Sequence, residues 1–477
     1  MHIDLSVGTP PDRIDADLAI IGAGAAGLTI ARALAGSGIR IALIESGPFE
    51  SHPPTQNLYE GTSGPQLPYW PFYSRLRYFG GSTNHWEGWC GIMAEETFKP
   101  RPWVPHSGWP IPRTDLLPWW KAGHEVLELG DFNYTPPERA KTPSPALFAG
   151  GKPVFTPYLF RLSPPTRMGQ KYRDAVVNAP NITVITRANV MPIAAPKGDR
   201  LSELELKSLE GVTTRVRADY FILACGGIEN PRLLLASGNR AAGGLANSSG
   251  LVGRYFMEHW AFPFRAIIRT AGGWWEAFNW VKSGDVSTPP ALALSYEAQE
   301  YFKLLQVVVG AGAKPMTPPE GVRVGDDVCL QFSMGGEQAP NPESRVMLGT
   351  ELDPLGVPRV HIDWRITEVE KETARQAVYF YARMLGEAGL GRMKLMPDRF
   401  DDVWPNLVSG ASHHMGTTRM SEDPAQGVVN TDCRSHDIKN LYIAGSSVFP
   451  GGDKVNPTLT IVALALRLTE HLKSVMG

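Results

Sequence analysis

The chain has 477 residues, 43% hydrophobic and 20% charged, which is enough for two or three domains' worth of core in a globular protein. Its 46 basic residues balance 48 acidic ones, so there is no electrostatic case for a nucleic-acid partner or an anionic membrane surface. Four well-separated cysteines (Cys90, Cys225, Cys329 and Cys433) with no CxxC pair read as reduced structural thiols, and the histidines lack metal-ligand spacing, so no metal site is expected.

Residues 1–17 have neither a basic n-region nor an apolar h-region, and no apolar run is long enough to span a bilayer. The expectation is a cytoplasmic chain without a membrane span, export with a signal-bearing partner being the alternative. The first informative stretch is 17–45, DLAIIGAGAAGLTIARALAGSGIRIALIE. A buried strand over 18–21 runs into Gly22, Gly24 and Gly27, a helix follows over 25–34, and a second buried strand over 40–44 ends in Glu45. This is the dinucleotide fingerprint in its strand–turn–helix–strand context. Gly22 permits the tight turn, Gly24 lets the backbone approach a pyrophosphate, and Gly27 lets the helix pack closely on the strand. Glu45 follows Gly27 by 18 residues, where an acid can bind ribose hydroxyls.

Residues 46–81 are rich in Pro, Gly, Ser and aromatics and read as long irregular structure over a site. They end in Gly80-Gly81-Ser82-Thr83-Asn84-His85-Trp86. Residues 98–120 read as an aromatic loop and the start of a helix, and 139–169 as a proline-rich crossing. Residues 181–187, 201–209 and 213–217 are predicted to form a meander. Residues 218–227 form a buried strand closing on paired glycines, followed by a helix. The span 254–400 is predicted to be a mostly antiparallel sheet with helices on one face, including an amphipathic helix over 367–385 with an acidic first turn. At the end, a strand over 440–444 breaks at Gly445, and a final helix over 458–475 suggests a return to the dinucleotide domain.

On the stretches 17–47, 75–91, 218–259 and 409–470, the chain resembles the glucose–methanol–choline (GMC) oxidoreductases. Within that family it is most similar to the sugar-oxidising branch of pyranose oxidases, C-glycoside 3-oxidases and glycoside 3-dehydrogenases. The resemblance is weak over 100–180 and 265–400. It implies an α/β, two-domain (α+β) fold, in which a Rossmann-like FAD-binding domain joins a mostly antiparallel, six-stranded substrate sheet. The segments expected are 1–95 and 181–253 in the FAD domain, 96–180 as loops and part of the substrate domain, 254–405 as substrate domain, and 406–477 as catalytic loops returning to the FAD domain.

The resemblance also implies site residues. In SHHMGTTRM, the histidine three residues before Gly-Thr is His413, the family's catalytic base; in GGDKVNPTLT its partner is Asn456. A base titrating near neutrality suits removal of a hydroxyl proton as hydride passes to flavin N5, and an amide can orient the alcohol without competing for that proton. His414 is the competing assignment. FAD contacts are expected at Gly22, Gly24, Ala25, Ala26, Gly27, Glu45, Ser46, Gly80, Gly81, Ser82, Asn84, His85, Val190, Ala224, Gly445, Ser446, Asn456, Pro457 and Thr458. Non-covalent FAD, with His85 packed on the ring, is weighted above a covalent link through His85. His259 has two readings, substrate-facing or simply packed, and Trp274 and Trp275 read as core or interface residues ahead of a sugar-stacking pair. The expected activity is oxidation of a secondary hydroxyl (C3 or C2) of a sugar or glycoside, with O2 or another electron acceptor and a possible homo-oligomer. The alternatives are a GMC enzyme for a non-sugar alcohol (a sterol, an aromatic alcohol or a biosynthetic intermediate) and, behind it, an FAD-containing lyase.

Overall fold

Leu18, Ala19 and Ile20 are fully buried and Ile21 nearly so, as in a strand covered on both faces. That strand, Leu18–Ile21, sits inside a six-stranded sheet ordered His2–Asp4, Ile182–Thr186, Ile41–Ile44, Leu18–Ile21, Tyr220–Leu223, Leu441–Ile443, with every neighbouring pair parallel. The computed structural model describes the chain except for residues 137–146, 149–150, 269–280, 284–285, 289, 311–313, 319, 321–322, 324, 326, 390 and 394–399. Helices Ala25–Ala33, Leu117–Leu127 and Thr458–Met476 pack together beside the sheet. The first and last of the long helices therefore share one layer, and the C-terminal strand completes the sheet that the N-terminal fingerprint opens.

The predicted meander is corrected at its first member. Ile182–Thr186 belongs to the parallel sheet, between His2–Asp4 and Ile41–Ile44. The antiparallel run is instead Asn189–Val190, Glu203–Lys207 and Thr213–Arg217, extended in parallel by Arg13–Asp15. Burial explains the difference: Ile182, Val184 and Ile185 are all at most 1% exposed, whereas Thr213–Arg217 alternates exposed and buried positions.

The second layer is antiparallel. Its main path has six strands in the order Gly391–Met393, Trp260–Ile268, Val328–Gly336, Val307–Val309, Pro290–Leu294, Phe155–Leu159. Two short strands, Lys314–Pro315 and Ser409–Gly410, add to it on Val328–Gly336 and Trp260–Ile268. Helix Glu368–Glu387 covers one face, packing Ala377, Tyr381 and Leu385 into the same core as Phe264 and Phe332. It starts in a capping box between Thr367 and Glu370, with Glu368 and Glu370 in the first turn, matching the sequence expectation.

The aromatic loop around residue 100 is fastened to this sheet by a buried ion pair. Arg101 meets Glu337, which follows strand Val328–Gly336, through two hydrogen bonds, one of them 2.8 Å from Nη1 to Oε2. Neither side chain is more than 2% exposed. Arg101→Leu, which strands a buried carboxylate, should cost about 3–5 kcal/mol in a denaturant titration. The double variant Arg101→Leu/Glu337→Leu should recover much of that loss. Equal losses in the single and double variants would mean that the pair does not hold the loop.

Candidate active site

The loops at the carboxyl ends of the parallel strands line a cavity of about 700 Å³. At its first wall, each fingerprint glycine has a distinct steric reason. Gly22 has φ +104°, and a Cβ there would lie 2.6 Å from the Ala224 carbonyl oxygen. A Cβ on Gly27 would lie 1.9 Å from the Gly22 carbonyl oxygen, whereas one on Gly24 would meet nothing within 4 Å and would protrude into the cavity. Gly24 caps helix Ala25–Ala33 with no side-chain cap and no acid in the first turn, so its N–H groups are free for an anion. Helix Thr458–Met476 presents a similar terminus, capped by Pro457 and again without a side-chain cap or a first-turn acid. Two uncapped helix ends, an unfilled cradle at Gly24 and the ribose-binding type of acid at Glu45 suit an FAD's diphosphate and riboses. Glu45 itself accepts the N–H groups of Ala23 and Gly47, each at 2.9 Å, locking the two turns together.

Of the expected contacts, Gly22, Gly24, Ala25, Ala26, Glu45, Ser46, Gly81, Ser82, His85, Val190, Ala224, Gly445, Ser446, Asn456, Pro457 and Thr458 line this one cavity, together with His413. Three of the expected contacts do not. Gly27 lies behind the turn, in its packing role. Gly80 and Asn84 are also off the lining, because the Gly80 turn uses Asn84 for itself. Gly80 has φ +99°, and Asn84 Nδ2 donates to the Phe79 carbonyl at 2.9 Å. His85 lies on the cavity wall, where partial burial of its ring, then Arg167, lowers its pKa. Trp274 and Trp275 lie outside the described residues.

The loop carrying His413 is held from three directions. Met257 and Met415 exchange backbone hydrogen bonds of 3.0 and 2.9 Å. Ser446 Oγ donates to the His414 carbonyl at 2.6 Å. The fully buried Glu258 carboxylate accepts the N–H groups of Ala411 and His413 through Oε2, at 3.0 and 2.9 Å, and the Tyr69 hydroxyl through Oε1. Ser412, between those two N–H groups, has φ +62°, a left-handed conformation that an L-residue adopts at a cost. Glu258 offsets that cost, and burial pushes its carboxyl up to about 7.

His413 sits in a continuous chain of bonds. His259 Nε2 contacts the Asp453 carbonyl, His259 Nδ1 lies 2.8 Å from His413 Nδ1, and His413 Nε2 lies 3.1 Å from Asn456 Nδ2. Burial, then the nearby His259 and His414, hold His413 well below the usual histidine range. Burial likewise brings His259 down to about 4, and burial with Arg75 and His85 brings His414 to about 3. All three rings are therefore neutral near pH 7. His259 is buried, off the cavity lining, and bonded to His413. His414 Nε2 has no hydrogen-bond partner among the described residues and lies 3.6 Å from Glu258 Oε1.

A group of charges that the sequence reading did not single out forms another wall. Arg75, Arg77 and Arg232 surround Glu229, and Arg232 also reaches Asp353 at 2.7 Å. Burial opposes the Glu229 charge, but Arg232, Arg77 and Arg75 outweigh it and hold the carboxyl below its usual range. Arg75 lies over the Tyr59 ring at 3.7 Å, and its Nη2 has no partner among the described residues.

Two outcomes follow from this geometry. Gly27→Ala should lower the thermal midpoint, because its Cβ collides with backbone. Gly24→Val should leave folding intact and reduce the dinucleotide retained per protein, read from absorbance on purification; equal thermal losses in both variants would contradict the assignment. The second concerns pH. The three neutral histidines bind protons in the unfolded chain below about pH 6.5 but not in the folded one, so they stabilise above that pH and the stability is lost on acidification. Glu258 works in the opposite sense, its contribution being complete below the ordinary carboxylate value and lost as pH rises through about 7. Near pH 5 the histidines outnumber it, giving a net uptake of roughly two protons on unfolding. The unfolding midpoint should therefore fall from pH 7 to pH 5, less steeply in His414→Gln; a midpoint that rises on acidification would contradict the burial of neutral rings.

Comparison with known proteins matches this architecture. Residues 17–243 match the family described as FAD dependent oxidoreductase, and residues 340–465 the family described as GMC oxidoreductase. The chain is 26% identical to paromamine 6'-oxidase of Streptomyces fradiae, over 94% of this chain and 90% of that protein. It is 24% identical to the fructose dehydrogenase large subunit of Gluconobacter japonicus, over 97% and 98%. The fold is shared with a crystal structure of formate oxidase at a TM-score of 0.67 and 16% identity, covering 98% of this chain and 99% of that one. No helix among the described residues is long and apolar enough to cross a membrane. Two family matches meeting in one cavity, with relatives aligned over nearly the whole chain, make this protein an FAD-dependent member of the GMC oxidoreductases.

Proposed function

We propose that the protein oxidises a secondary hydroxyl of a sugar or glycoside to a ketone, with His413 as the base. The observation that carries this reading is the pairing of His413 Nε2 with Asn456 Nδ2 at 3.1 Å on the wall of the FAD cavity. FAD supplies the hydride acceptor when bound. The protein's own part is to take the hydroxyl proton at His413 Nε2, which is unprotonated near neutrality, and to hold the alcohol oxygen through the Asn456 amide. The cavity-lining residues named above hold FAD without a covalent bond, His85 packing against the ring. The sugar assignment is supported by whole-chain likeness to paromamine 6'-oxidase and fructose dehydrogenase. The first of these names also favours a second reading, oxidation at a 6'-type position.

The test is anaerobic mixing of the purified protein with D-fructose, an aryl C-glucoside, paromamine and simple alcohols, watching the flavin absorbance. Bleaching by a sugar is expected, and product analysis then distinguishes a ketone from an aldehyde. Fast recolouring on admitting air identifies an oxidase, and persistence of the bleached form a dehydrogenase. Bleaching by non-sugar alcohols alone would overturn the sugar assignment, and no bleaching with any compound would point to a non-redox lyase. Acid precipitation is expected to release the yellow colour from the protein; colour retained on the pellet would establish a link through a side chain, with His85 the first residue to replace.

A further inference from the structure

The hydrogen-bond chain behind His413 has only one proton arrangement when both rings are neutral. The Asp453 carbonyl can only accept, so His259 must carry its proton on Nε2. A neutral His259 then has a lone pair on Nδ1, so His413 must donate from Nδ1, 2.8 Å away. That leaves the lone pair of His413 on Nε2, where the Asn456 amide donates to it. A backbone carbonyl thus dictates, through one intervening ring, which nitrogen of His413 is basic.

We propose that His259 is a positioning residue for the alcohol oxidation, fixing His413 in the tautomer whose Nε2 lone pair points at Asn456 and sharing the proton that His413 takes up. The inference rests on the reading of His413 as the base. In the step itself the substrate O–H bond breaks and an Nε2–H bond forms on His413. The positive charge then spreads over two rings, because the Nδ1 proton of His413 can move onto Nδ1 of His259 while Nε2–H of His259 stays bonded to Asp453. The rings suit such sharing: their centroids are 4.9 Å apart and their planes cross at 80°. The surroundings keep the pair in place. Asp453 is fixed by the Ala94 N–H at 2.9 Å, by Thr97 and by the Lys454 ammonium at 3.3 Å, while Glu258, one residue before His259, holds the His413 backbone. Without His259, the Nδ1 proton of His413 has no acceptor among the described residues, and the proton is free to sit on Nε2, where it blocks the base.

The closing experiment reads the tautomer directly. In protein labelled with imidazole-15N histidine, His413 should show a protonated Nδ1 and a bare Nε2, its signals being identified by their loss in His413→Ala. In His259→Ala, His413 should shift wholly or partly to the Nε2–H form. His259→Asn, whose Oδ1 can stand in for the accepting Nδ1, should keep the Nδ1–H form. In parallel, with whichever of D-fructose, paromamine and an aryl C-glucoside reduces the enzyme, His259→Ala should slow anaerobic reduction roughly ten- to a hundredfold. That is less than the about 10²–10⁴ of a lost general base. Saturation by the sugar should be little changed, and His259→Asn should recover most of the rate. An Nε2–H tautomer in the unaltered protein, or the same tautomer and rate in His259→Ala, would overturn the proposal. Full activity in His413→Ala would instead overturn the base assignment and leave the tautomer measurement to judge the hydrogen-bond chain by itself.

Discussion

The site depends on one buried carboxylate. Glu258 precedes the strand Trp260–Ile268 of the antiparallel sheet, and its side chain accepts the backbone of the loop that carries His413. That loop in turn runs into contacts with Ser446 at the C-terminal strand of the parallel sheet. A buried carboxylate with both oxygens occupied leaves the loop few alternatives, because releasing the His413 N–H would leave the acceptor short of a partner and the donor unpaired, at about 1–3 kcal/mol. Glu258, with the Met257–Met415 backbone pair and Ser446, therefore sets the position of His413 relative to the fingerprint.

Around this anchor the two layers divide the work. The parallel sheet brings backbone to the cavity: helix ends, glycines without Cβ atoms and the Glu45 clasp between two turns. The antiparallel side brings side chains that brace the cavity's loops: Glu258 and His259 bond the His413 loop, and Glu337 pairs with Arg101. Buried charge is costly unless paired, and here it is paired almost throughout, in Arg101–Glu337, Asp453–Lys454 and the Glu229 cluster. Among the described residues several buried polar atoms still lack a hydrogen-bond partner, and Arg75 Nη2, Arg77 Nε and His414 Nε2 belong to residues that line the cavity, where a bound cofactor has polar groups to offer.

What could be read from the sequence follows from how local each constraint is. The fingerprint was legible because three glycines, two strands and a helix interact within 29 residues, and each glycine has a steric reason that leaves a mark in the sequence. Helix Glu368–Glu387 was legible from its acidic first turn and periodicity. The strand Ile182–Thr186 was assigned to the wrong sheet, because a short apolar run fits a central parallel strand and a meander strand equally well. Gly80 and Asn84 lie off the cavity lining, and a glycine-rich turn does not reveal whether its asparagine serves the ligand or the turn. His413 and Asn456 came from a motif resemblance, and the spacing alone would not have paired them. The roles of Glu258 and His259 had no local signal at all: their partners lie about 155 residues away, and consecutive Glu and His before a strand are as compatible with simple packing.

The central claim is that His413, and not its neighbour, removes the substrate proton. It is tested most directly by the rate of anaerobic flavin reduction in His413→Ala and His414→Ala, measured with the same sugar and with FAD content matched. The account predicts a loss of about 10²–10⁴ in His413→Ala and a much smaller one in His414→Ala. A full loss in His414→Ala alongside near-normal reduction in His413→Ala would contradict it.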